Sequence, residues 1–346
     1  MGAMRVAGFG VAVLALACQK PVGDEARHTC AGCRWELLGV HAQADAQPTT
    51  TGKMLITLCP WRGRLYVGYG DYQENTGPID VTAWDPATHD FVRYHASDTE
   101  AINNYRVIGD QLYAPATDRR EHADYAVGEP WHDEHPVNVA HGYDMATFDG
   151  RDLWLVGSSE PGYQPTAWRS TDGGAHWTIA HQLPTNGRYY FAARYHDKLY
   201  LEAWSLAPHG PSEVFDGAGW SGGPELLPAG GHGFRPVEFA GRLVYATKQT
   251  FDVPHIALAG TANLLIAFDG TTAAVTFERP LLDFFATARE LILLDTEGVV
   301  WRTTDLAQWT RLTDASALHP RSLALLDDVL YVGSRDARLY RLVGWP

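Results

Sequence analysis

The sequence has few basic side chains and very little lysine. Of its 346 residues, 27 are Lys or Arg and 41 are Asp or Glu, which leaves a formal net charge of -14. A protein this acidic repels phosphate backbones, so nucleic acid is not an expected partner. The lysines are only Lys20, Lys53, Lys198 and Lys248, so the chain has no polybasic patch for a membrane surface.

Disorder is excluded for most of the chain by its hydrophobic content. The sequence is 45% hydrophobic and contains 12 Trp, 16 Tyr and 12 Phe. A disordered chain would lack the aromatic side chains that a packed core requires. We therefore expect a large globular core.

The N-terminal apolar run is too short to span a bilayer. Arg5 precedes the uncharged run from Val6 to Ala17, and polar residues follow at once, as in a secretory signal. The segment from Leu14 to Cys18 resembles a bacterial lipobox, which implies cleavage before Cys18 and a lipid on its thiol. We therefore expect residues 1–17 to be a lipoprotein signal peptide and 18–29 a tether. The predicted location is the bacterial cell envelope, with the protein attached to the membrane through the lipid only. The alternative is an ordinary signal peptide cut near Ala17, giving a periplasmic or secreted protein.

Cysteine is also scarce. Apart from Cys18, the chain has only Cys30, Cys33 and Cys59. The sequence around the Cys-x-x-Cys pair does not read as the helix start of a redox site, and a zinc site would need more ligands than Cys59 supplies. In an exported protein a structural disulfide is the expected use, and the sequence leaves open which two cysteines pair.

An internal repeat dominates the rest of the sequence. Seven times a tight turn is followed by Leu and a short apolar or aromatic stretch, with steps of 47, 41, 46, 44, 48 and 39 residues between the leucines. The repeat leucines are Leu65, Leu112, Leu153, Leu199, Leu243, Leu291 and Leu330. A period near 45 with strand-like runs and no long helical pattern predicts an all-β fold, a β-propeller with four strands in each blade.

One turn in the outer half of a blade carries a recognisable motif. Ser170, Asp172, Gly174 and Trp177 match the Asp-box pattern S-x-D-x-G-x-x-W, and a degenerate copy runs from Thr303 to Trp309. Asp accepts hydrogen bonds from turn amides, and Gly permits a positive φ. The chain thereby resembles the Asp-box (BNR repeat) propellers, a superfamily that includes sialidases, sortilin-type receptors and bacterial exported proteins. The motif lies on the periphery, so the resemblance implies the fold and says little about function.

The C-terminal repeat lacks its outermost strand. Three strand-like runs follow Arg321 before the chain ends, and the segment from Arg34 to Val40 has the pattern of an outer strand. Pairing the two would close the ring and remove its exposed sheet edges. We therefore predict one seven-bladed domain over residues 30–346, acting as a monomer.

Candidate ligand-binding residues lie at the predicted mouth of the central channel. Counting eight or nine residues back from each repeat leucine gives Asn104, Asp144, Tyr190, Arg235, Asp283 and Arg321, with Ile56 or Thr57 in the first blade. Flanking candidates are Arg106, His141, Arg188, Tyr189, His232 and His319. The facing loops contribute Asp71, Tyr72, Glu74, Asp118, Glu160, Trp204, Lys248 and Asp252. Mixed charges and aromatics at a concave mouth suit a polar ligand such as a glycan, a peptide or a partner protein, and no cofactor is expected.

Enzymatic and metal sites are the competing hypotheses. A sialidase needs three Arg for a carboxylate, a Tyr nucleophile with a Glu partner and an acid Asp, but the Arg-containing motif of the first blade is missing here. His132 and His135 form a His-x-x-His pair beside carboxylates, a weak candidate for a divalent metal; the following Pro136 predicts an extended loop instead of a metal-binding helix. We therefore favour a binding or scaffold module, with a glycoside hydrolase as the alternative.

Overall fold

Seven four-stranded antiparallel sheets make up the part of the chain that the structure, a computed structural model, describes. That part comprises residue 30 and residues 32–72, 74–117, 124–136, 138–204, 212–227, 231–248 and 263–344. The predicted signal peptide, tether and lipidation residue Cys18 lie outside the described residues, as do Asp118 and Asp252. Within the described part, no helix is long and apolar enough to cross a membrane.

The strands follow the chain in blade order. The chain begins with β1 (Arg34–Val40) and the short helix α1 (Ala42–Asp45). Blade 1 consists of β2 (Thr57–Trp61), β3 (Arg64–Gly68), β4 (Ile79–Asp85) and β5 (Asp90–Ser97). Blade 2 consists of β6 (Arg106–Ile108), β7 (Gln111–Pro115), β8 (Tyr125–Gly128) and β9 (His132–Glu134). Blade 3 consists of β10 (Val139–Thr147), β11 (Leu153–Ser159), β12 (Gln164–Ser170) and β13 (Thr178–Gln182).

The later blades repeat this order. Blade 4 consists of β14 (Arg188–Tyr195), β15 (Lys198–Trp204), β16 (Glu213–Phe215) and β17 (Trp220–Gly222). Blade 5 consists of β18 (His232–Phe239), β19 (Arg242–Lys248), β20 (Leu265–Phe268) and β21 (Ala273–Phe277). Blade 6 consists of β22 (Leu281–Ala286), β23 (Leu291–Asp295), β24 (Val299–Thr303) and β25 (Thr310–Asp314). After a single 3-10 turn (Ser316–Leu318), blade 7 contains β26 (Pro320–Leu326), β27 (Val329–Ser334) and β28 (Arg338–Val343).

The sequence repeat corresponds to the hairpin between the first and second strands of each blade. All seven repeat leucines lie at the start of the second strand and are at most 1% exposed. In blade 1 the hairpin turn places Arg62 and Gly63 at positive φ, as a two-residue type I′ turn requires. The prediction of an all-β, seven-bladed propeller is confirmed.

The N-terminal strand closes the ring, as predicted. β1 pairs antiparallel with β28, which places it fourth in the sheet formed by β26, β27 and β28. Trp35 packs against the apolar cluster between blades 6 and 7, while Leu38 packs against the cluster between blades 7 and 1. Just before β1, Cys30 and Cys33 form a disulfide, and Cys59 is free.

The Asp-containing turn of blade 3 is held by side-chain hydrogen bonds. The Ser170 hydroxyl donates to the Asp172 carboxylate at 2.8 Å and accepts from the Gly174 amide at 2.8 Å. Trp177 packs on Tyr125 of the preceding blade, with ring centroids 5.8 Å apart. The turn therefore stabilises the outer edge of the propeller, far from the channel.

The first strands of neighbouring blades lie side by side around the channel. β10 contacts β6 and β14, β14 also contacts β18, and β26 contacts β22 and β2. Several of these strands contain β-bulges, for example between Gly142 and Asp144 and between Leu281 and Asp283. A bulge redirects the side chains of a strand, and here the bulged positions supply charged residues to the channel.

Candidate binding site at the channel mouth

Asp144 of β10 lies at the centre of a buried hydrogen-bond network that joins three blades. Its carboxylate accepts Arg106 Nε at 2.6 Å and Nη2 at 2.7 Å, and Asn104 Nδ2 at 2.9 Å. It also accepts the backbone amides of Met145 and Ala192, the latter on β14. Asp144 is 1% exposed, so its charge is compensated by Arg106 and turned away from solvent.

Asp283 of β22 repeats this arrangement three blades further on. It accepts Arg235 Nη1 at 2.5 Å, and the amides of Phe284 and Leu323, both at 2.9 Å. Arg235 also donates to the Thr57 hydroxyl, which links blade 5 to blade 1 across the channel. Burial raises the pKa of Asp283, and the nearby Arg235 charge opposes this. The two Arg–Asp pairs therefore tie the first strands of the blades together.

A small cavity adjoins both pairs. It has a volume of about 160 Å³ and is lined by first-strand residues of blades 1, 2, 5 and 6, among them Cys59, Arg106, Arg235 and Phe285. Burial raises the pKa of the Cys59 thiol to about 12. The thiol therefore stays protonated and is not a nucleophile at neutral pH.

In blades 3, 4 and 5, the starts of the first strands form an aromatic mouth of the channel. The antiparallel register brings the starts of β10, β14 and β18 next to the ends of their partner strands: His141 is opposite Ser158, and Arg188 is opposite Trp204. We call the aromatic and imidazole rings at this end the mouth wall: His141, Tyr143, Tyr163, Tyr190, Trp204 and His232. These residues come from blades 3, 4 and 5.

The rings of the mouth wall touch one another in a chain. His141 stacks on Tyr143 with centroids 5.7 Å apart, and Tyr143 lies 4.4 Å from Tyr190. Tyr190 in turn stacks on His232 at 4.0 Å and meets Trp204 edge-on at 6.1 Å. Contacts of this kind hold aromatic rings in fixed orientations. Because His141, Tyr143, Tyr190 and His232 are only 3–9% exposed, the accessible part of this end is formed by Tyr163, Trp204 and the neighbouring Arg188.

The outermost ring of the wall is accessible to a ligand. Tyr163 is 46% exposed and lies 5.6 Å from His141. Its carbonyl accepts the Gly187 amide at 2.9 Å, which fixes the β11–β12 loop against the start of β14. Beside it, His141 is held by a hydrogen bond of 2.8 Å between its Nδ1 and the Ser158 hydroxyl.

Arg188 is the charged member of the mouth. Its Nη1 donates to the Tyr143 hydroxyl at 2.5 Å, and its guanidinium lies 5.9 Å from the centre of that ring. Although burial acts to lower it, the phenols of Tyr143 and Tyr190 raise the pKa of Arg188. The guanidinium is therefore charged and held against the aromatic wall.

The structure divides the predicted site residues into two groups. Asn104, Arg106, Asp144, Arg235 and Asp283 belong to the buried Arg–Asp networks. Arg188 and Tyr190 belong to the mouth, together with the flanking candidates His141 and His232 and the facing-loop candidate Trp204. Arg321 also lies on a first strand, is 8% exposed and donates Nη1 to the Leu282 carbonyl at 3.2 Å.

Tyr189 does not reach the channel. It is fully buried in the apolar cluster between blades 3 and 4, where its ring stacks at 6.4 Å on His181. Adjacent residues of a strand point to opposite sides, so only one of Tyr189 and Tyr190 can face the channel. The assignment of Tyr189 to the ligand site is therefore corrected.

Loop candidates have varied surroundings. Asp71 is fully buried and accepts the Thr49 amide at 3.0 Å, so it braces the loop after β3. His132 pairs with Glu134 at 3.1 Å, whereas His135 pairs with Asp124 at 2.8 Å. Since the two histidines engage different carboxylates, they do not converge. No cluster of three potential metal ligands occurs among the residues described.

Two members of the mouth wall were missed by sequence reasoning. Tyr143 immediately precedes the predicted channel residue Asp144, and a bulge turns it towards the mouth. Tyr163 lies outside the repeat pattern, in the loop between the second and third strands of blade 3. The available signal was the number of aromatic residues near the starts of the first strands.

Comparison with known proteins shows similarity of fold. No family model and no curated protein matches the sequence. Virginiamycin B lyase from Staphylococcus aureus aligns with a TM-score of 0.60 at 10% identity, over 90% of this chain and 99% of that chain. YCF48 from Cyanidioschyzon merolae aligns with a TM-score of 0.51 at 10% identity, over 89% and 98% of the two chains.

A third similar structure is the GH74 xyloglucanase from Xanthomonas campestris. It aligns with a TM-score of 0.52 at 14% identity, over 89% of this chain and 53% of that chain. Propellers host many unrelated functions, and at these identities the likeness extends to the fold alone. The chain is a seven-bladed β-propeller similar to a lyase, to YCF48 and to part of a xyloglucanase.

Proposed function

We propose that the protein is a binding module whose ligand, a polar molecule or glycan, docks at the channel mouth. The main support for this proposal is the mouth wall. Three consecutive blades supply aromatic rings that contact one another, and the ring of Tyr163 is exposed to solvent. Ligand sites commonly combine apolar and aromatic walls with a few fixed polar groups. Arg188 is such a group here, because it is only partly buried and its hydrogen bond to Tyr143 fixes its position.

A glycoside hydrolase receives less support from the same residues. Hydrolysis of a sugar needs a proton donor and a second carboxylate that both reach the substrate. In the channel, Asp144 and Asp283 are 1% and 2% exposed, and each is paired with an Arg. Arg106 and Arg235 are thereby unavailable for the carboxylate clamp of a sialidase.

A glycan array tests the proposal. The domain is applied as the wild type and as Tyr163→Ala and Trp204→Ala, with Tyr340→Ala of β28, the third strand of blade 7, as the matched control. The wild type and control are expected to retain the same hits, and the two mouth variants to lose them. Hits that survive both mouth substitutions would place the ligand elsewhere and contradict the proposal, as would the absence of any hit.

The same samples decide between binding and hydrolysis. Each array hit is incubated with the wild-type domain, and the products are analysed by mass spectrometry. We expect the oligosaccharide to be recovered intact. Release of a shorter sugar, abolished by a mouth substitution, would establish the hydrolase alternative.

We further propose that the propeller is exported and held at the bacterial cell envelope by a lipid on Cys18, as an outlying member of the Asp-box superfamily. The support is the apolar run from Val6 to Ala17 with the lipobox-like end and, for the superfamily, the hydrogen-bonded Ser170–Asp172 turn. Metabolic labelling with a palmitate analogue is expected to mark the wild type, while Cys18→Ser is unlabelled and released from membranes. If both forms fractionate as soluble protein, the anchor is wrong.

A further inference from the structure

Arg188 differs from the other arginines near the channel in its partners. Arg106 and Arg235 each face a buried carboxylate at 2.5–2.6 Å. Within the described part of the chain, no ion pair includes Arg188, which is held by the phenols of Tyr143 and Tyr190. The mouth therefore contains a positive charge that no described carboxylate compensates, in a protein with a net charge of -14.

The guanidinium of Arg188 also has more hydrogen-bond donors than these two phenols use. Arginine carries five N–H donors, and the hydrogen bonds to the phenols of Tyr143 and Tyr190 do not use all of them. A half-buried charge that has lost part of its water shell is stabilised by an anion that completes its hydrogen bonds. A carboxylate forms two parallel hydrogen bonds with a guanidinium, which makes it a well-matched group for this position.

We propose that the ligand of the mouth is an acidic sugar, with its carboxylate on Arg188 and its ring against the mouth wall. The inference rests on the proposed function and adds the charge of the ligand to it. The hydrogen bond from the Gly187 amide to the Tyr163 carbonyl places the loop that contains Tyr163 beside Arg188, the first residue of β14. We therefore expect a single small sugar ring to contact both Tyr163 and Arg188. A flat aromatic surface next to one cation favours a sugar ring over an extended peptide, which needs a row of backbone partners.

Saturation-transfer NMR with D-glucuronate and D-glucose tests the charge requirement directly, because the two sugars differ at a single carbon. The domain is compared as the wild type, Arg188→Gln and the matched control Arg194→Gln, an exposed position on the same strand β14. Loss of a charge-assisted hydrogen bond is expected to weaken binding about tenfold or more. The wild type and Arg194→Gln should bind glucuronate at least about tenfold more tightly than glucose, and Arg188→Gln should bind the two sugars equally.

The inference is overturned by equal binding of the two sugars by the wild type, by an unchanged preference for glucuronate in Arg188→Gln, or by the absence of glucuronate binding. Displacement of glucuronate is also tested with a short peptide that has a free C-terminal carboxylate, and stronger binding of the peptide would overturn the choice of a sugar. If neutral glycans still require Tyr163, the proposed function stands while the inference fails. Matching thermal melts of Arg188→Gln and the wild type confirm that the variant is folded.

Discussion

The ring closure by β1 allows a quantitative prediction. Deletion of residues 19–40 removes β1, while deletion of residues 19–29 leaves it in place and serves as the control. Loss of β1 uncovers the backbone edge of β28 and breaks the contacts of Trp35 and Leu38 with the clusters on either side. We therefore expect the longer deletion to be strongly destabilised or to aggregate through its open edge.

The magnitude follows from the burial of β1. Leu37 and Val40 are 50% and 44% exposed, so they contribute less than the alternating pattern of the sequence suggests. Trp35 and Leu38 are partly buried, and full burial of such side chains is worth about 1.5–3 kcal/mol each, which gives about 2–4 kcal/mol for the pair. The Trp35 indole also donates to the Asp314 carbonyl at 2.8 Å, which adds about 1 kcal/mol. The expected loss is therefore about 3–5 kcal/mol, a large part of the stability of a typical domain.

Urea unfolding followed by tryptophan fluorescence measures this loss. Two point variants on the same strand refine the test: Trp35→Ala should be destabilised by about 2–3 kcal/mol, and Leu37→Ala by no more than about 0.5 kcal/mol. If the 19–40 deletion unfolds at the same urea concentration as the 19–29 deletion, β1 does not close the ring. Equal effects of the two point variants would show that burial does not set the contribution of this strand.

Two further predictions concern buried charges. Arg106→Ala leaves Asp144 buried without its cation and should cost about 3 kcal/mol or more in unfolding free energy. Arg93→Ala removes a side chain that is 58% exposed in its pair with Asp80 and should cost at most about 1 kcal/mol. Similar losses in the two variants would contradict the network. Burial raises the pKa of Glu202 to about 8. The folded state therefore keeps a proton that the unfolded state releases above about pH 4.3. As a result, Glu202 lowers the free energy of unfolding as pH rises from about 5 to 8. Glu202→Gln should therefore be more stable than the wild type at pH 8 and lose that advantage at pH 5; a pH-independent difference in thermal melts would refute the assignment.

The fold was largely predictable because the leucine of each repeat has to be buried in the same place in every blade. Each repeat leucine is the first or second residue of a second strand and is buried, so the same physical requirement recurs at every copy and is visible in the sequence. The closing strand was predictable for a related reason, since the last repeat lacked one strand and the N-terminal segment had the matching pattern. The exposure of Leu37 and Val40 was not predictable from the sequence, because the burial of an outer strand depends on how much of it the neighbouring blades cover.

The channel location of several residues was predictable from the sequence, but their contacts were not. Counting from the repeat leucines located Asp144, Arg235 and Asp283 in the channel, yet it could not show that their charges are neutralised there. Tyr189 was misplaced because β-bulges change which side of a strand faces the channel, and a bulge has no clear sequence signal. The mouth wall depends on contacts between blades, which sequence spacing within one blade does not reveal.

A crystal structure of the protein with its strongest glycan-array hit would show directly whether the mouth binds the ligand. We expect the sugar ring against Tyr163 and the neighbouring mouth wall, with its acidic group within hydrogen-bond distance of Arg188. A ligand bound in the cavity beside Cys59, or on the outer face of a blade, would contradict the assignment of the mouth as the binding site.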